Sequence, residues 1–204
     1  MGELDKQMEP GTRGHMMISC TVARRWATRT LVIWLLAGDL AAAAEAPIRS
    51  IEVVRSADAF VANLVMFAPV PGSLAWKVLT DFEHQPEWVP NLRESKVIES
   101  DGNALTIEQR GVARFGIASF PYVSVRQILL DPERTVRAKQ LKGSMRRVES
   151  LMTLTPDGNG TQLQYHLEMV PTGLAAAVLS EDFLQHELTE QFTAIIGEMV
   201  RRNR

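Results

Sequence analysis

A single change of period constrains this chain more than any other feature. Between Glu94 and Pro171 six stretches alternate apolar and polar residues, and beyond Ser180 the period lengthens to that of one long helix. Each stretch ends in turn chemistry. "ESKVIES" closes at Asp101-Gly102-Asn103, and "ALTIEQRGVARF" is followed by Gly116. "SFPYVSVRQILL" ends at Asp131-Pro132 and is followed by "RTVRAKQLKG". "RRVESLMTLTP" closes at Asp157-Gly158-Asn159-Gly160 before "TQLQYHLEMVP" completes the set. Short turns between successive strands leave antiparallel pairing as the simple arrangement.

In the helical stretch Leu184, Leu188, Phe192, Ile195, Ile196 and Met199 recur at intervals of three and four. Such a stripe needs a surface to cover. Ser180 is a natural N-cap, Glu181 and Asp182 stand in the first turn, and Arg201 and Arg202 gather at the end, as the helix dipole favours.

Upstream, "ADAFVANLVMFAPVP" reads as a long first strand, and "GSLAWKVLTDF" as a short amphipathic helix that Pro86 cannot continue. Asp81 to Asn91 is then a hinge into a second short helix around Pro86 to Val89. The expected fold is α+β: a seven-stranded curved antiparallel sheet wrapped around a long C-terminal helix, with two short helices after the first strand.

Residues 1–16 lack apolar periodicity and read as a disordered or non-native extension. Residues 17–44 carry Arg24, Arg25 and Arg29 before the apolar run from Leu31, then small residues up to Ala44: the order of a secretory signal peptide. Cleavage after Ala44 would leave residues 45–204 as the mature domain, periplasmic or secreted. Retention by an uncleaved N-terminal anchor is the alternative, although the apolar run is short of the roughly 20 residues a membrane span needs.

Composition then removes several chemistries. The only cysteine, Cys20, lies in the presumed leader, so a mature chain has no disulfide, zinc-thiolate site or cysteine nucleophile. Five of the 22 basic and four of the 24 acidic residues precede Glu45, leaving 17 against 20 with no basic block. Nucleic acid is not an expected partner. "HELTE" at His186 resembles a zinc signature until Glu190 stands where the second histidine would be. His84 beside Asp81 is a capping or solvated pair before it is a general base, and His166 falls on a polar strand face. No Gly-x-Ser-x-Gly elbow is present. No metal and no cofactor are expected. Gly111 and Gly116 read as sheet bends, and Arg110, Arg114 and Arg126 as solvent-facing cations with an anionic headgroup as the alternative role.

Two stretches carry a family resemblance. "AWKVLTDFEHQPEWVPNLRES" joins a Trp-containing helix, an Asp-aromatic pair and a proline-bracketed Trp, and "GNGTQLQYHLEMVP" is a Gly-Thr hairpin entering the last strand. From about Ile51 to Arg202 the chain resembles the START-like helix-grip (SRPBCC) superfamily, in its polyketide cyclase/dehydrase and coenzyme-Q-binding-protein-like branch. The strand-entry Trp of that family is absent near Met152. The resemblance implies a cavity between sheet and final helix, hosting carriers, cyclases or hydrolases alike.

Alternation supports the cavity. Leu163, Tyr165, Leu167 and Met169 share one strand face, Val148, Ser150, Met152 and Leu154 a second, and Leu105, Ile107 and Gln109 a third. The expected ligand-binding set is Ile107, Gln109, Ser150, Met152, Tyr165 and Leu167 from strands, Phe183, Leu188 and Phe192 from the helix, and Trp88 at the mouth. Gln109, Ser150 and Tyr165 are its polar minority. "PTGLAAAVLSEDF" is a candidate lid. Three functions fit: a non-enzymatic carrier for a hydrophobic small molecule, such as a lipid, isoprenoid or polyketide-like compound; a cyclase/dehydrase using Gln109, Tyr165 and Arg110 or Arg126; or an interaction module. A monomer with transient membrane contact is expected.

Overall fold

The computed structural model describes residues 46–115, 118–173, 176–177 and 179–204. The expectations for the extension and the signal peptide lie outside these residues, as does part of the candidate lid. The chain forms β1 (Ile48–Ser56), β2 (Ala59–Ala68), helix α1 (Gly72–Leu79) and a 3₁₀ segment (Phe82–Glu87). Six strands follow: β3 (Leu92–Asp101), β4 (Ala104–Phe115), β5 (Ala118–Asp131), β6 (Thr135–Gly143), β7 (Arg147–Asp157) and β8 (Gly160–Val170). Helix α2 (Glu181–Arg202) ends the fold. All strands pair antiparallel in one sheet of order β1-β2-β8-β7-β6-β5-β4-β3, so the β1–β2 hairpin docks on the last strand.

The sheet has eight strands where seven were expected. The additional strand, β1, pairs with β2 from Ile48 to Ser56 through a two-residue turn at Ala57-Asp58. Ala57 takes the left-handed φ of 54° that such a turn needs, without the glycine or asparagine that would announce it. β1 is an edge strand and mostly exposed, so its alternation is weak. The second short helix is a 3₁₀ segment that begins four residues earlier than expected and contains Pro86. Three-residue turns tolerate the missing proline N–H better than an α-helix would.

Gly111 sits where β3 meets β4 with a register shift between Leu92 and Glu94. A Cβ at Gly111 would lie 2.2 Å from the Asn91 carbonyl and 2.5 Å from the Tyr122 hydroxyl. Only glycine lets that connection close onto β4, where the Val112 amide donates to the Asn91 carbonyl at 2.8 Å.

Helix α2 begins as its residues suggest: the Ser180 hydroxyl accepts from the Phe183 amide at 3.1 Å. Its C-terminal half packs into the main core, where Phe192, Ile195, Ile196 and Met199 join Leu64, Met66 and Leu163. The last turn is tied to the 3₁₀ segment by Arg202, which donates to Asp81 at 2.7 Å and to Glu198 at 2.6 Å. Asp81 also bonds His84 at 2.6 Å, which accounts structurally for that Asp-His pair. A smaller cluster of Phe82, Ile107, Ile128 and Ala138 fills the space over β4 to β6. Among the described residues no helix is long and apolar enough to cross a membrane.

Candidate functional site

Where the N-terminal half of α2 passes over β4 to β8, the interior is not filled. A cavity of about 240 Å³ remains, bounded also by the link from the 3₁₀ segment to β3. Its floor is apolar on two sides: Leu167 and Met169 from β8, and Phe183, Leu184 and Leu188 from α2. Exposed lining residues at Pro90, Val123, Ser144 and Glu190 mark its open side.

The third side is polar. β5 alternates so that Tyr122, Ser124 and Arg126 all face the cavity. Arg126 donates through Nη2 to the Gln109 carbonyl oxygen, and its Nε is buried with no hydrogen-bond partner among the described residues. Gln109 is itself held: its amide donates to Gln85 Oε1 at 2.9 Å and to Ser95 Oγ at 3.0 Å. With the amide nitrogen so engaged, the oxygen must point at Arg126. Burial pushes the Arg126 guanidinium below its ordinary value, with the Tyr165 and Tyr122 phenols acting against that shift. It remains a cation, as arginine does in proteins.

Burial also pushes the Tyr165 phenol up, against a hydrogen bond from Ser150 and the charge of Arg126. Tyr122 is raised by burial in the same way. Both phenols are therefore neutral near pH 7. At the rim, burial raises Glu187, against hydrogen bonds from the Arg114 amide at 3.2 Å and the Asn91 side chain at 3.3 Å. One carboxylate thus joins α2, β4 and the link before β3.

Of the expected site residues, Gln109, Tyr165, Leu167, Phe183 and Leu188 line the cavity. Five do not. Ile107 belongs to the small cluster on β4–β6, and Met152 and Phe192 to the main core. Phe192 packs on the far side of Tyr165, ring centroids 4.7 Å apart. Ser150 hydrogen-bonds Tyr165 without lining the cavity itself. Trp88 caps the 3₁₀ segment with Arg202 6.0 Å from its ring centroid, so it faces the C-terminal turn of α2.

Tyr122 and Arg126 are among the cavity residues that alternation did not single out, and Arg126 faces the cavity where a solvent-facing cation was expected. Both faces of β5 are similarly apolar, with Leu129 46% exposed on the outside. Arg110, by contrast, is exposed and paired with Glu108 at 2.7 Å. His166 meets Asn63 at 2.8 Å on the outer face, and His186 lies 3.6 Å from Glu190 on the helix surface. Among the described residues no three His, Asp, Glu or Cys side chains are placed to hold a metal ion.

Comparison with known proteins agrees with this fold. The family model described as polyketide cyclase / dehydrase and lipid transport matches residues 61–202. Among curated proteins no sequence matches. A START superfamily protein from Mycobacterium smegmatis superposes with a TM-score of 0.61 at 13% identity, covering 70% of this chain and 98% of that one. An aromatase/cyclase from Streptomyces sp. R1128 gives 0.57 at 18% identity, over 72% and 96%. A STAR-related lipid transfer protein from Xanthomonas axonopodis gives 0.57 at 14%, over 74% and 98%. At such identities the likeness establishes the helix-grip fold alone.

Proposed function

The chain belongs to the polyketide cyclase / dehydrase and lipid transport family, and from that premise we propose that it is a binding or carrier protein for a hydrophobic small molecule. The observation that carries the reading is the cavity between α2 and β4–β8, apolar on two sides and polar on one. A predominantly apolar lining with a few fixed polar groups is the usual composition of a small-molecule site. At about 240 Å³ it is slightly below the roughly 300–1,000 Å³ range of such sites, which favours a compact ligand over a two-chain lipid. Export through the N-terminal leader belongs to the same proposal. Cell fractionation with N-terminal sequencing of the mature protein tests it, and an intact cytoplasmic chain would refute it.

The carrier reading is tested by extracting freshly purified protein with organic solvent for mass spectrometry, alongside displacement of a neutral solvatochromic dye. A stoichiometric apolar compound, displaceable dye, or both are expected. Absence of both would overturn it.

Tyr165 favours one second reading, a cyclase/dehydrase. A neutral phenol fixed by Ser150 beside a guanidinium is a proton donor next to a charge that could steady a developing oxyanion. Turnover of an aromatic polyketide surrogate that disappears in Tyr165→Phe would support it. Turnover that survives the Tyr165→Phe, Gln109→Ala double variant would remove those residues from the chemistry.

A further inference from the structure

A half-buried guanidinium without a carboxylate is an expensive thing for a fold to keep. Arg126 has no ion-pair partner among the described residues, and the titratable groups that face it are the two phenols. The nearby acids are engaged elsewhere. Glu187 takes the Asn91 side chain and the Arg114 amide, and Glu190 lies near His186. Gln109, itself anchored by Ser95 and Gln85, holds Arg126 by one nitrogen and so aims the cation instead of neutralising it.

Resting on the carrier reading above, we propose that the ligand is a monoanionic amphiphile whose carboxylate is received by Arg126, its apolar body lying against Leu167, Met169, Leu184 and Leu188. Three features of the cavity argue for it. Arg126 is the only basic residue among the described residues of the lining, so a single positive charge faces the cavity, and it does so from β5. A planar guanidinium that lines the cavity, with only Nη2 engaged by Gln109, keeps donors that a carboxylate can match. The two carboxylates of the lining, Glu187 and Glu190, stand on α2, so an anionic head is repelled there and attracted at β5. The ligand is therefore bound with its head against the sheet. The neutral phenols of Tyr122 and Tyr165 can donate to the same oxygens.

The experiment uses the full chain, a neutral solvatochromic dye as probe, and four displacers of equal chain length: decanoic acid, decanol, methyl decanoate and decyl phosphate. At pH 7.5 the acid is expected to displace the dye at about 30-fold lower concentration than the alcohol or ester, the scale of a desolvated charge pair. In Arg126→Gln that advantage falls below about threefold. The wild-type comparison stands even if the variant fails to fold. Equal potency of acid, alcohol and ester would overturn the carboxylate assignment and leave the carrier reading intact. Decyl phosphate outperforming decanoic acid would also overturn it. Failure of the dye to bind, with no displacement by any of the four, would strike the carrier reading itself.

Discussion

The two halves of helix α2 belong to one apolar stripe yet face different interiors. The C-terminal half meets Leu64, Met66 and Leu163, all at most 1% exposed, and the space between is filled. The N-terminal half, with Phe183, Leu184 and Leu188 just as apolar, meets a cavity. The difference lies in the sheet. β2 turns Phe60, Ala62, Leu64 and Met66 inward, whereas β4 and β5 turn in Gln109, Tyr122, Ser124 and Arg126. Polar groups that must keep partners cannot be packed over like leucines, so the helix stands off them. The hollow follows from wall chemistry more than from any shortage of apolar side chains.

The comparison breaks most directly at Phe192. Phe192→Ala at the filled end is expected to destabilise by about 3–5 kcal/mol, measured by denaturant unfolding. Leu188→Ala beside the cavity is expected near the lower limit for such truncations, about 2 kcal/mol, because fewer of its neighbours lose contact. Equal losses would abolish the distinction between the halves.

Arg126→Met sharpens it from the other side. Exchanging a half-buried, incompletely partnered cation for an apolar side chain of similar length is expected to raise stability by about 1 kcal/mol, the gain offset in part by the Gln109 oxygen that loses its donor, while weakening ligand binding. A loss of stability in thermal melts would show that the guanidinium holds the fold together. Tyr165→Phe removes the hydroxyl that bonds Ser150 and is expected to cost about 1 kcal/mol of stability.

The smallest effects are expected from pH, and they carry opposite signs at the two ends of α2. Glu198, hydrogen-bonded by Arg201 against the effect of burial and further by Arg202, is held down to about 2. Its folded value lies below the ordinary 4.5, so its contribution is complete above about 4.5 and is lost as pH falls toward 2. Glu187 is raised by burial. It binds its proton more readily in the folded state, so its contribution to stability rises as pH falls through that raised value toward 4.5. Melts between pH 7 and 3 should lose their acid limb in Glu198→Gln and their mild gain in Glu187→Gln. The same sign in both variants would contradict the assignment.

How legible this was depended on the range of the signal. The Ser180 cap and the stripe of α2 are local patterns, and the structure reproduces both. β1 was not legible, because Ala57 supplies a positive φ that nothing in its residue type advertises. Alternation puts Ile107 and Met152 on the covered face, and both are buried there. Alternation says which side of a sheet a residue faces, and nothing about how far along the strand the filled core gives way to cavity. Arg126 shows the same limit, on a strand whose two faces are similarly apolar.

From its own period, turns and cap, the sequence determined strands β2 to β8, the antiparallel run of β3 to β8 and the helix that covers them, since each depends on residues a few positions apart. Only the tertiary structure decided where the interior stays open and which cation is left facing it. That outcome depends on β4, β5 and the 3₁₀ segment arriving together, with Gln109 held between Ser95, Gln85 and Arg126, and no short window of sequence contains all of those contacts.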